Sequence, residues 1–135
     1  MSMGYCAYMN LVAEDNTTLM YTYCSYDLNH PDWKKQREMA DGEITIARDA
    51  LVEPEIHRKN KKMPSGRKKF VEKRIVRDVA WNDILDNGKI SIKNASGTWQ
   101  ITETGNDFLA IKLLFRMFDE YQKTGEIPKH VSLYS

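Results

Sequence analysis

Apolar and polar positions alternate through the first part of the chain. From Tyr5 to Ala13, the residues Tyr5, Ala7, Met9 and Leu11 fall on one side, with Cys6, Tyr8, Asn10 and Val12 on the other. That is the period-two pattern of a strand. Leu19–Tyr26 repeats it and is rich in tyrosine. The polar stretch Glu14–Thr18 between them predicts a hairpin. Asn29-His30-Pro31-Asp32 then signals a helix start, with Pro31 suited to the first helical position, and a short helix over 32–40 is expected before Asp41-Gly42. Glu43–Ala47 alternates again with Ile44 and Ile46 inward, and Leu51–Val52 is expected as another short extended piece.

A helix over 80–87 is predicted by Trp81, Ile84 and Leu85 on one face, ended by Gly88. Lys89–Asn94 and Thr98–Glu103, joined around Ala95-Ser96-Gly97, read as a second hairpin. The clearest helix spans 107–124. Asp107 is its N-cap and Gly125 its stop, with Phe108, Ile111, Leu114, Phe115, Phe118 and Tyr121 on one stripe. Leu109, Leu113 and Met117 widen that stripe, which predicts deep burial, a dimer contact being the other account. His130–Tyr134 is a last strand.

Strands that cluster as hairpins point to α+β rather than α/β. The expectation is a single domain, 1–135, with a largely antiparallel sheet built from hairpins and the long C-terminal helix packed on it. With 41% hydrophobic residues, the 135-residue chain has enough apolar area to offset its ordering entropy. No apolar run approaches the ~20 residues of a membrane span. Met1–Gly4 lacks the basic start and apolar run of a signal peptide. A cytoplasmic protein is expected, with Cys6 and Cys24 as free thiols.

Charge changes the picture most. Residues 58–77 hold ten basic residues against the single acid Glu72, a net +9, while the remainder holds ten basic and eighteen acidic residues, a net −8. Residues 1–57 contribute four basic and ten acidic residues to that remainder. Crowded cations repel by roughly 1 kcal/mol per close exposed pair, so folding has no use for them, and an anionic partner does. Within the run, Pro64-Ser65-Gly66 fits a type I turn that would present Lys61, Lys62, Arg67, Lys68 and Lys69 at one tip. The other geometry is a helix capped by Ser65 and running from Gly66 to Ile75, whose first amides would receive a phosphate. The bland account is a solvated loop, its charge serving solubility or pairing with the acidic half of the same chain.

Catalytic chemistry is not indicated. His30, His57 and His130 are scattered, the two cysteines lack zinc spacing, and no P-loop, nucleophile elbow or dinucleotide loop is present. No cofactor and no metal are expected. A nucleophilic Cys6 or Cys24 with a histidine base is the weakest option, because strand thiols are usually buried and inert. The leading expectation is a non-catalytic protein that binds an anionic macromolecule, either nucleic acid or an acidic protein surface. Its contacts would come from Lys61, Lys62, Ser65, Gly66, Arg67, Lys68, Lys69, Lys73 and Arg74. The alternative is an inhibitor or immunity-type protein that meets a protein partner through the acidic first half and a face made by Tyr8, Tyr21, Tyr23 and Tyr26.

Overall fold

The computed structural model describes residues 4–62, 64–66, 68–95, 101–103 and 105–134, with backbone alone at 61–62 and 68–70. Strands β1 (Tyr5–Glu14) and β2 (Thr18–Asp27) form the expected hairpin. Asp15 closes its turn, its carboxylate accepting from the Thr17 and Thr18 amides, both at 2.8 Å. These bonds hold the Asp15 carboxyl below its usual range. Strand β3 (Gly42–Ala47) pairs with β2, and β6 (Ile90–Lys93) with β3. The C-terminal strand β7 (His130–Tyr134) adds to the free side of β1. The result is a five-stranded antiparallel sheet in the order β6-β3-β2-β1-β7. Strands β4 (Glu55–Lys62) and β5 (Lys68–Ile75) form a separate two-stranded sheet. The fold is α+β.

One face of the large sheet carries Ala7, Met9, Leu19, Tyr21, Tyr23, Ile44, Ile46 and Val131, all in the core. The long helix α3 (Phe108–Thr124) lies against it. Its Leu109, Leu113, Leu114 and Met117 are fully buried and Phe118 nearly so. Each such side chain contributes about 2 kcal/mol by leaving water. Burial within the chain thus accounts for most of the wide apolar stripe, though Phe115 stays largely exposed. Asp107 caps α3 by accepting from the Leu109 amide at 3.0 Å, and Gly125 ends it with φ 76°. The short helix α2 (Trp81–Asp86) brings Trp81 between Phe115 and Phe118, ring centroids 4.8 and 4.6 Å away.

Asp107 also ties the helix start to the sheet. Its Oδ2 accepts from the Tyr23 hydroxyl and from Ser25 Oγ, each at 3.0 Å, while the Tyr23 oxygen accepts from the Ala95 amide at 2.8 Å. Opposite Tyr23 in the ladder stands Gly42. A Cβ there would fall 2.2 Å from the Tyr23 ring, so glycine is what lets the ring lie flat across β3.

One expectation is corrected and two others are qualified. Gly66–Ile75 is not a helix: Lys68–Ile75 is strand β5, because eight cross-strand pairs with β4 satisfy its backbone. After a 3-10 turn at Arg48–Ala50, Leu51 has the expected extended backbone (φ −67°, ψ 132°), but Leu51–Val52 joins no ladder among the described residues. The strand after Gly88 is β6, which pairs with β3. Of its expected partner, residues 98–100 lie outside the described residues, and Ile101 makes a single bridge to Asp107.

Candidate functional site

The charged segment builds a β-ribbon arm. Its ladder runs from Glu55↔Ile75 at the root to Lys61↔Lys69 and Lys62↔Lys68 beside the turn. Pro64-Ser65-Gly66 makes the turn and is exposed. Gly66 has φ 83°, a left-handed conformation that glycine adopts without steric cost. Arg67 lies outside the described residues, and Lys61, Lys62, Lys68 and Lys69 are placed by register alone.

Alternation divides the rest of the arm into two faces. His57, Lys59, Val71 and Lys73 share one; Ile56, Arg58, Glu72 and Arg74 share the other. Both faces meet solvent, only Val71 and Arg74 being half-buried. Acids are scarce: His57 pairs with Glu55 at 2.8 Å, and Glu72 serves both Arg58 at 3.1 Å and Arg74 at 3.8 Å. Among the described residues, Lys59 and Lys73 form no ion pair and stand exposed.

The root is fastened to the end of α3. Gln122, buried, accepts from the Arg77 amide at 2.7 Å and donates to the Arg77 carbonyl at 2.9 Å. Arg74 Nη1 donates to the Gln122 carbonyl at 3.4 Å, and its guanidinium lies over Gly125, where a Cβ would come within 2.9 Å of it. A cation at a helix C-terminus is favourable there. Arg74, read from the sequence as a ligand contact, is thereby committed to the root.

The tyrosines divide between the sheet faces. Tyr21 and Tyr23 are fully buried against α3 and belong to no exposed partner surface, which corrects that expectation for both. Tyr8 and Tyr26 are half-buried on the opposite face. There Tyr8 stands opposite Cys24, and Cys6 opposite Tyr26. The short helix α1 (Trp33–Glu38) crosses this face, held where the Arg37 carbonyl accepts from the Tyr8 hydroxyl at 2.6 Å and from Cys24 Sγ at 3.6 Å. Between α1 and β7 opens a cleft of about 890 Å³, lined by Tyr8, Tyr26, Trp33, Lys34, Arg37, Glu38, Arg116, His130 and Tyr134 among others. The Tyr8 and His130 rings stack at its floor, centroids 6.1 Å apart.

Burial dominates the titration of this floor. It pushes the Tyr8 phenol up to about 12 and the Cys24 thiol up to about 11, and it raises Cys6 and Tyr26 as well. The Arg37 charge opposes the rise at all four, so its guanidinium acts on the whole cluster. Cys6 and Cys24 are both free and buried. Thiols held protonated and covered are poor nucleophiles. Among the described residues no three of His, Cys, Asp and Glu gather as metal ligands, and no helix is long and apolar enough to cross a membrane.

The cleft was not visible in the sequence. Trp33, Lys34, Arg37 and Arg116 come from two helices, and only the tertiary fold assembles them. One signal was available: Tyr8 and Tyr26 alternate away from the core positions Ala7, Met9, Tyr21 and Tyr23, so the second sheet face also carries bulky rings that need cover. Comparison with protein-family models, with curated proteins and with solved structures returns no match.

Proposed function

We propose that this protein is a non-catalytic nucleic-acid-binding protein whose β4–β5 arm engages the phosphate backbone. The observation that carries the reading is a ribbon set apart from the main sheet and exposed on both faces, its residues 58–77 carrying a net +9. A two-stranded ribbon fits a duplex major groove about 12 Å wide, and cations on both faces then meet both phosphate walls. Lys59 and Lys73 are exposed contacts on one face, and Lys61, Lys62, Arg67, Lys68 and Lys69 flank the turn in sequence. Ser65 and Gly66 shape that turn. Crowding ten cations into residues 58–77 costs folding energy, and neutralising phosphates would recover it.

An acidic protein surface is the other anionic partner. A ribbon with charge on two faces suits a groove better than a single flat patch, which favours nucleic acid. The inhibitor or immunity-type reading keeps Tyr8, Tyr26 and the acidic first half but loses Tyr21 and Tyr23 to the core. Fluorescence anisotropy with a labelled duplex of about 20 base pairs, at low and at physiological salt, tests the proposal. Binding at low salt that weakens steeply as salt rises supports it. No binding at low salt removes it.

A further inference from the structure

The cleft between α1 and β7 has a composition that its structural role does not require. Three cations line it, Lys34, Arg37 and Arg116, against one acid, Glu38. Among the described residues neither Lys34 nor Arg37 forms an ion pair. Helix α1 buries none of its residues, so the Arg37 side chain is not held there by packing. Its backbone carbonyl alone carries the tether to Tyr8 and Cys24.

The walls are aromatic. Trp33 and Tyr26 are half-buried, and Tyr134 keeps 61% of its surface exposed at the mouth. Lys34 Nζ sits 5.6 Å from the Trp33 ring centre, which puts a positive charge beside a stacking surface. A concave site of this volume with flat rings and a few convergent polar groups has the form of a small-ligand site.

A peptide strand is a poorer occupant. Leu11 donates to the Lys129 carbonyl, and the β1–β7 register therefore turns the backbone groups of Val131 and Leu133 toward β1. Those of His130, Ser132 and Tyr134 face the open edge. Arg116 Nη1 already donates to the Ser132 carbonyl at 2.6 Å, so an added strand would have to displace it.

From these features we infer that the cleft binds a nucleoside phosphate, its base stacked against Trp33 and Tyr134 and its phosphate held by Arg37 and Lys34. A guanidinium pairs bidentately with phosphate oxygens, and aromatic rings stack on any base. The same chemistry is offered by a free nucleotide and by the 5′ end of a strand. This site lies between α1 and β7, with Arg116 alone reaching it from α3, while the arm root is fastened to the end of α3 by Gln122, and neither proposal depends on the other.

Isothermal titration of the whole chain with adenosine 5′-monophosphate, adenosine and inorganic phosphate tests the inference. Saturable binding of the nucleotide is expected, at least about tenfold tighter than either half alone. Arg37→Ala should weaken it about tenfold and Tyr134→Ala several-fold, with Lys123→Ala, exposed near the end of α3, unchanged. Both Arg37 and Tyr134 are exposed, so the variants fold, and thermal melting checks this directly. Tighter binding of a 5′-phosphorylated trinucleotide assigns the site to a strand end, and equal or weaker binding assigns it to the free nucleotide; either supports the inference. No nucleotide binding at millimolar concentration, or equal binding by wild type and Arg37→Ala, overturns it.

Discussion

Gln122 grips the backbone of Arg77 at both ends, accepting from its amide at 2.7 Å and donating to its carbonyl at 2.9 Å. A side-chain amide thereby does what a neighbouring strand would do, and it fixes the chain leaving the arm against the last turns of α3. Gln122 is 1% exposed, so its amide has no water to fall back on. Replacing it with methionine keeps the volume and removes both bonds. Gln122→Met should cost about 1–2 kcal/mol in urea unfolding, and the Arg77 amide should exchange its hydrogen faster. Unchanged exchange would show that another contact holds the root.

Gly42→Ala should be among the most damaging small substitutions in the chain. The new methyl would fall 2.2 Å from one Tyr23 ring atom and 2.5 Å from the next. That ring is buried, and its hydroxyl is committed to Asp107 and to the Ala95 amide. A loss of about 3 kcal/mol is expected from overpacking. Tyr23→Phe, which keeps the ring and removes the hydroxyl, should cost less, about 1–2 kcal/mol. Denaturant titration of the two variants gives the order directly.

Much of this architecture could be read from the chain. Alternation in Tyr5–Ala13 and Leu19–Tyr26 located the first hairpin, and the Asp107 cap with the Gly125 stop bounded α3 to within a residue. The burial of Tyr21 and Tyr23 against the partial exposure of Tyr8 and Tyr26 was not legible, because period-two alternation separates the faces without saying which meets the long helix. In the arm, lysine and arginine occupy so many positions on both faces that no hydrophobic period survives, and hairpin, loop and helix read alike. The pairing of Ile90–Lys93 with β3 was hidden for another reason. Its ladder of four pairs joins segments far apart in the chain, and local sequence carries no trace of it.

Cys6 and Cys24 should label slowly with a disulfide reagent in the native state at about pH 8 and rapidly in urea. Both are buried, and burial raises both thiols above their ordinary range. Fast native labelling of either would reopen a nucleophilic role.

Stability should fall on the alkaline side. Burial holds Cys24 protonated up to about 11 and Tyr8 up to about 12, above the values these groups have in an unfolded chain. The folded form therefore keeps protons that the unfolded form releases. The contribution is complete below the ordinary thiol range and is lost as pH rises through these values. Urea midpoints at about pH 8 and about pH 10.5 should differ, and Cys24→Ala should reduce the difference by removing one of the two groups. An equal difference in the variant would place the alkaline loss elsewhere.

The arm remains the centre of the account, and its salt dependence is the most direct test. Released counterions make the logarithm of the association constant fall linearly with the logarithm of salt concentration, by about 0.9 per phosphate contact on duplex DNA. Wild type is expected to show a steep line. Lys59→Ala with Lys73→Ala, which removes two exposed cations from one face of the ribbon, should flatten the slope by about 2. Parallel lines for wild type and the double variant, or a duplex that fails to bind at about 50 mM salt, would contradict it.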